Sequence, residues 1–207
     1  MPFTLAHPAI VLPLKFMKEG WLSLTGLVIG SITPDFGYFV QLKALRGYGH
    51  SLHGIFWFDL PIAILLSFLF HEIIRNPLIQ NSPSFLQKKL SRYLGFQWKN
   101  FFKQNIFSVI VSIIIGAFSH ILWDSFTHVD GYFTQSIPAL SEYISLGYTP
   151  ITVHNLISVI CSFLGLMVVL YSILQLPSEK NVSVNRRFTG YWFFAVRFWP
   201  RCRFLAH

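Results

Sequence analysis

Charged residues are scarce in this chain. They make up 12% of its 207 residues, where an ordinary soluble domain carries roughly 25%, while hydrophobic residues make up 53%. The chain has only two cysteines, Cys161 and Cys202, which excludes a disulfide framework and a Cys-x-x-Cys metal site. This composition excludes a disordered chain and argues against a water-soluble globule. Its 22 phenylalanines, with further tryptophans and tyrosines, predict an integral membrane protein.

No basic n-region of a signal peptide precedes the first apolar residues, so we expect the N-terminus to belong to the mature protein. A bilayer core is crossed by about 20 mostly apolar residues in a helix. Three stretches meet that length, and we predict transmembrane helices at 54–74, 105–123 and 151–176. Two apolar pieces at 5–17 and 21–33 are too short to cross, and they predict a helical hairpin that dips into the membrane.

The fold class predicted is therefore all-α. We expect an integral membrane helical bundle of three full transmembrane helices plus an N-terminal short-helix hairpin and loop within residues 1–53. Residues 1–176 would form a single membrane domain. Residues 177–207 would form a basic, aromatic tail, whole or truncated, that is cytoplasmic or lies at the membrane interface.

Lysine and arginine are absent from 124–150, whereas 75–104 and the tail 177–207 are rich in both. The positive-inside rule makes the loop 75–104 and the tail cytoplasmic and the loop 124–150 extracytoplasmic, in a multi-pass protein of the cell membrane. The formal net charge of +8 then suits membrane lipid as the partner, and we expect no nucleic acid. Protein partners are not indicated by the sequence.

Ionisable residues inside a membrane span are costly and are functional by default. His120, Asp124 and His128 recur at spacing i, i+4, i+8 on one face of the second span, near its outer end. The predicted hairpin brings three further groups to that level: His7, Asp35, which follows Pro34 on a rigid turn, and His50.

Several imidazoles with carboxylates and no thiolate are typical of a zinc, manganese or iron site. We predict His7, Asp35, His50, His120 and Asp124 as ligands of a divalent metal, zinc or manganese. The alternative is that the histidines hydrogen-bond between helices and Asp124 caps a helix end.

Other ionisable groups have weaker patterns. Asp59 either orients a ligand imidazole from behind or bonds the backbone that Pro61 leaves free. The roles of His53 and His154 stay open. His71, Glu72 and Arg75, at the opposite end of the first span, are expected to form an ion pair at i, i+3 or i, i+4.

Several motifs resemble a family of uncharacterised bacterial membrane proteins, DUF4184. They are MPFTLAHPA at 1–9, GSITPDF at 30–36, HSLHG at 50–54, FDLP at 58–61, GAFSH at 116–120 and DSFTH at 124–128. The same pattern is more distantly similar to inner-membrane metal-dependent hydrolases of the SOS-induced type. That second resemblance implies a bacterial inner-membrane hydrolase with the five ligand candidates named above, and it implies no substrate.

The predicted function is a metal-dependent hydrolase acting on a phosphoester or lipid-linked substrate at the extracytoplasmic membrane interface. His128 would be a further ligand or proton carrier, and Asp59 would support the ligands. The alternatives are a metal-ion or proton transporter and a non-catalytic structural membrane protein. If the protein has only a structural role, we expect the His and Asp side chains not to converge on a common point.

Overall fold

The computed structural model describes residues 2–16, 21–37, 48–146 and 149–179, and most of these residues are helical. Three helices in this part of the chain are long and apolar enough to cross a membrane: Leu52–Gln80, Ile106–Ser136 and Val153–Leu174. The predicted all-α class with three spans is confirmed, and the chain is compatible with a membrane protein.

The first span, α3 below, runs over Leu52–Gln80 and is longer than the predicted 54–74. It contains two π-helical turns, Ile55–Asp59 and Phe70–Ile74, between α-helical segments. The first π turn ends just before Pro61, which has no N–H to donate to the turn before it. The widened turn places Asp59 on the buried face of the helix.

Short helices precede that span, in the order that the sequence predicted. A 3₁₀ turn at Thr4–Ala6 leads into α1 (Pro8–Val11) and a second 3₁₀ turn at Leu12–Phe16. Helix α2 is Leu24–Ile32, and it is followed by a 3₁₀ turn at Thr33–Asp35. The link between the two pieces, 17–20, lies outside the described residues.

The segment between the first two long helices contains α4 (Ser84–Leu90), a 3₁₀ turn at Ser91–Tyr93 and α5 (Trp98–Gln104). The second long helix, α6, is Ile106–Thr127 and therefore ends one turn later than predicted. Two short helices follow it, α7 (Tyr132–Ser136) and α8 (Pro138–Ser141).

A β-hairpin replaces the predicted start of the third span. Strands β1 (Tyr143–Leu146) and β2 (Thr149–Thr152) pair antiparallel, and helix α9 begins only at Val153 and ends at Leu174. The β-branched residues of β2 are apolar enough to extend the hydrophobic run, but they favour a strand. The hydropathy pattern therefore placed the helix start two residues too early.

Contacts divide the chain into two units. The first comprises Met1–Ser67 and Phe101–Ser172, and the second comprises Phe68–Asn100 and Ile173–His207. Residues 180–207, most of the predicted basic tail, lie outside the described residues.

Helices α2 and α6 form the core of the first unit and approach until their backbones touch. A Cβ atom on Gly30 would lie 2.9 Å from Ile113 Cα, and one on Gly116 would lie 2.7 Å from the Ser31 nitrogen. Ser23 caps α2, and its own N–H donates to Ser112 Oγ at 2.7 Å. The Gly26-x-x-x-Gly30 motif is thus a helix-packing motif.

We predict that Gly30→Ala lowers the free energy of unfolding by about 1 to 3 kcal/mol, because the added methyl group has no room beside the α6 backbone. Gly95→Ala is the control, since a Cβ at Gly95 has open space around it. Thermal unfolding in detergent measures both variants. Equal stability of the two would contradict the close contact between α2 and α6.

Candidate metal centre

Helix α6 supplies two of the candidate ligands from its buried face. His120 and Asp124 are one helical turn apart, and their exposed fractions are 0% and 1%. Both side chains point to the same side of the helix because residues i and i+4 lie above one another. The prediction that His120 and Asp124 lie on one helix face is therefore confirmed.

Two short 3₁₀ turns supply the others. Asp35 ends the turn Thr33–Asp35, which Pro34 helps to shape, and it is 1% exposed. Its Oδ2 accepts a hydrogen bond from Thr4 Oγ1 at 2.5 Å, which orients the carboxylate. His50 ends the turn Tyr48–His50, and its side chain is 3% exposed.

Asp35, His50, His120 and Asp124 each bring one ligand atom within 4.8 Å of the other three. His50 Nε2 lies 3.5 Å from Asp35 Oδ1 and 3.3 Å from Asp124 Oδ2. His120 Nε2 lies 3.4 Å from each of the same two oxygens. Tetrahedral ligands bound at about 2.0 to 2.1 Å from zinc stand about 3.4 Å apart. The nitrogen-to-oxygen distances therefore fit a four-coordinate divalent metal.

The tautomer of His120 makes the case for a cation stronger. His120 Nδ1 lies 2.7 Å from the Ser31 carbonyl oxygen, which can only accept, so Nδ1 carries the proton. In the neutral ring, Nε2 then carries a lone pair, and this lone pair faces two carboxylates. Among the described residues, His120 Nε2, Asp35 Oδ1 and Asp124 Oδ2 have no hydrogen-bond partner. Acceptor atoms so close repel one another unless a proton or a metal ion lies between them.

His7 approaches the cluster from the N-terminal segment. Its Nε2 lies 3.4 Å from Asp124 Oδ1, the oxygen on the other side of that carboxylate. Its Nδ1 lies 3.3 Å from the Thr4 carbonyl oxygen, and its ring stacks on His120 with 3.8 Å between centroids. His7 is thus in contact with Asp124 while lying outside the group of four.

Electrostatics keep Asp35 in its ligating form. Burial alone would raise the pKa of Asp35, but the imidazoles of His120 and His50 and the Thr4 hydroxyl hold that pKa well below its usual range. Burial would likewise lower the pKa of His50, but the carboxylates of Asp124 and Asp35 outweigh it and raise that pKa. The cluster therefore favours charged carboxylates with a positive charge between them.

Asp59 lies behind the cluster. It is fully buried, and neither carboxylate oxygen has a hydrogen-bond partner among the described residues. A Cβ atom on Gly49 would lie 2.6 Å from Asp59 Oδ1, so the carboxylate packs against the residue that precedes His50. Asp59 therefore makes no hydrogen bond to the backbone near Pro61 among the described residues, which was the second interpretation of this residue.

His128 does not continue the row of His120 and Asp124. Helix α6 ends at Thr127, and His128 has extended backbone angles, so the i, i+8 extrapolation stops where the helix stops. Its ring lies beside Asp130, with 3.9 Å between Nδ1 and Oδ2. His128 is outside the group of four.

The two histidines whose roles the sequence left open lie outside the group of four. His53 is exposed on α3. His154 is 5% exposed at the start of α9, and its Nδ1 lies 3.0 Å from the Leu140 carbonyl oxygen. His154 therefore ties α8 to α9.

Sequence reasoning missed the groups that hold the ligands in place, namely the Thr4 hydroxyl and the backbone carbonyls of Thr4 and Ser31. Thr4 precedes His7 by three residues, a spacing that lets its carbonyl meet the His7 ring in a helical turn. No sequence signal marks the Ser31 carbonyl, because that contact joins residues 89 apart.

An apolar groove of about 360 Å³ is lined in part by Trp123 and Thr127, which belong to α6 as His120 and Asp124 do. Trp123 lines the groove, and its indole ring is 5.5 Å from the His7 ring, centroid to centroid. The other lining residues come from α1, α6, α8 and α9: Ile10, Leu122, Phe126, Thr127, Leu140, Ile157 and Cys161. The groove offers almost no polar surface, so its physical complement is a hydrocarbon chain.

With the fold and the buried cluster described, the comparison with known families can be stated. The chain belongs to the family described as Domain of unknown function (DUF4184), whose family model matches residues 1–200. No match was found among the curated proteins or the solved structures. The more distant resemblance to metal-dependent hydrolases is not shown by these comparisons.

We predict that zinc raises the melting temperature of EDTA-treated protein by about 5 to 10 °C, because an ion that binds the folded state alone stabilises it. The isosteric Asp35→Asn variant should lose most of this shift. His53→Ala should retain it, since His53 is exposed and outside the cluster. An unchanged melting temperature of the wild type with zinc, manganese or iron would contradict a metal-binding cluster.

Proposed function

We propose that this protein is a membrane-embedded, metal-dependent hydrolase that acts on the phosphoester of a lipid-linked substrate at the extracytoplasmic interface. One observation carries the proposal: four buried ligand atoms from three separate parts of the chain converge within 4.8 Å. Placing two carboxylates and two imidazoles together away from water is costly unless a cation joins them. A purely structural role of the histidines would not require these side chains to converge.

Asp35, His50, His120 and Asp124 would hold the ion. Two nitrogen and two oxygen donors suit zinc, whereas manganese prefers more oxygens. For hydrolysis, such an ion would need a further coordination position for water, and it would then lower the pKa of that water and polarise a phosphoryl oxygen. The Ser31 carbonyl keeps His120 in the tautomer that presents Nε2, and Thr4 keeps Asp35 oriented.

The remaining candidates have supporting roles in this proposal. His7 faces Asp124 Oδ1, so His7 and Asp124 are the residues that would hold a second ion. His128, whose side chain is 19% exposed at the end of α6, is accessible enough to carry a proton between the site and water. Asp59 supports the segment that presents His50.

The apolar groove supports a lipid-linked substrate. It lies along α6 and α9, which are long and apolar enough to cross a membrane, and its lining residue Trp123 packs against the His7 ring. A substrate whose hydrocarbon chain occupies the groove would have its polar head near the cluster. The extracytoplasmic side follows from the distribution of lysine and arginine along the chain.

A metal-ion or proton transporter is the second candidate, because rows of buried His and Asp also serve ion pathways. Such a pathway needs polar groups through the whole membrane depth. Below His120 the buried face of α6 is apolar at Ala117, Ile113 and Val109, with Ser112 between the last two. These observations favour the hydrolase.

We predict that detergent-purified wild type contains at least one zinc or manganese ion per chain by elemental analysis. His120→Ala and Asp124→Ala should each lose it, because either change removes one of four ligands. His7→Phe keeps the ring stacking and leaves the four ligands untouched, so it should retain at least one ion. Complete loss of metal in His7→Phe would place His7 in the primary ligand set.

The matched control for metal content is Asp130→Asn, since Asp130 is exposed, lies beside His128 and is outside the group of four. It should bind as much metal as the wild type. A wild type without bound metal after supplementation would overturn the hydrolase proposal. His120, Asp124 and His50 would then be helix-packing or proton-binding groups.

We predict that Ile157→Trp, which fills the groove, lowers metal-dependent hydrolysis of dioleoyl phosphatidic acid at least tenfold. Hydrolysis of soluble p-nitrophenyl phosphate should change less than twofold, since the ligands are intact. Val159→Trp, on the exposed side of α9, is the control and should behave as wild type. A parallel loss of both activities in Ile157→Trp would argue against a lipid chain in the groove.

A further inference from the structure

The second unit contains a buried arginine that the proposed reaction does not use. Arg75, near the C-terminal end of α3, is 7% exposed. The sequence predicted an ion pair between Arg75 and Glu72 or a neighbour, but no ion pair among the described residues involves either of them. A buried guanidinium without a carboxylate is rare, because its charge is costly away from water.

The bonds that Arg75 makes leave this charge in place. Its Nη1 donates to the Phe96 carbonyl at 2.7 Å and lies 3.1 Å from His71 Nδ1. Its Nη2 donates to the Leu94 carbonyl at 3.3 Å, and its Nε donates to Asn76 Oδ1 at 3.0 Å. Every one of these partners is an uncharged acceptor or a neutral ring. The contacts satisfy the N–H groups and leave one full positive charge.

This charge borders a polar hollow of about 460 Å³. Lys99 adds a second cation to its wall, and the amide side chains of Gln97 and Asn100 add hydrogen-bond donors. Glu72 is the single carboxylate among the described residues that line the hollow, so this part of the wall carries a net positive charge. The His71 ring, stacked on Trp98 with 4.6 Å between centroids, gives one side of the hollow a rigid surface.

We infer that the hollow beside Arg75 binds the phosphate group of a phospholipid headgroup. Phosphate supplies a negative charge that would pair with Arg75 and Lys99, and both residue types are common phosphate ligands. A lipid is the favoured source because Arg75 lies at the end of a helix long and apolar enough to cross the bilayer, where headgroups are concentrated. The site shares no residue with the metal cluster and does not depend on the proposed hydrolysis.

Native mass spectrometry of the full chain in detergent, titrated with dioleoyl phosphatidic acid, tests this site. EDTA is present throughout, so that the metal cluster holds no metal ion that could bind the phosphate. Lys99→Gln should weaken lipid binding about fivefold, because one basic side chain near a phosphate is removed. Glu72→Gln should tighten binding about twofold or more, because it removes a carboxylate that repels the phosphate. Arg75 is left unchanged, since its loss would also release the carbonyls of Leu94 and Phe96.

Lys103→Gln is the matched control, because Lys103 is an exposed lysine of the same helix as Lys99, α5, and does not line the hollow. It should bind the lipid as the wild type does. Equal affinities of all four proteins, or equal weakening by Lys99→Gln and Lys103→Gln, would overturn the site. Displacement of the lipid by an equal concentration of inorganic phosphate would overturn the lipid as the source of the phosphate.

Discussion

The close contact between α2 and α6 is the constraint on which the candidate site depends. Glycines at positions 30 and 116 let the two backbones touch, and that contact sets the Ser31 carbonyl against His120 Nδ1 at 2.7 Å. The same approach brings the turn after α2, with Asp35, to the face of α6 that carries Asp124. If α2 and α6 were farther apart, the Ser31 carbonyl would no longer fix the tautomer of His120. The four ligand atoms would then no longer lie close together.

The cost of burying charge shapes both units of this protein. In the first, two carboxylates and two imidazoles lie together with exposed fractions of 3% or less, which favours a shared cation. In the second, Arg75 has neutral partners and a polar hollow beside it. Opposite local charges thus predict opposite ligands, a metal ion at the first location and a phosphate at the second.

Much of the fold could be predicted, because helices in a membrane satisfy their own backbone and leave a long apolar run as their signature. Periodicity also paired His120 with Asp124 correctly. It failed for His128, since the helix ends at Thr127, and helix ends depend on local packing. It failed for the hairpin of β1 and β2 because an apolar run alone does not distinguish a strand from the start of a helix.

The sequence by itself determined the three apolar helices, the short N-terminal helices and the choice of His and Asp as candidate ligands, because composition and spacing are local properties. Only the tertiary structure decided that Asp35 and His50 join His120 and Asp124, while His7 faces the other oxygen of Asp124. It also decided that Arg75 bonds to the carbonyls of Leu94 and Phe96. Such contacts join residues far apart in the chain, and their distances follow from how helices pack, which no local pattern encodes.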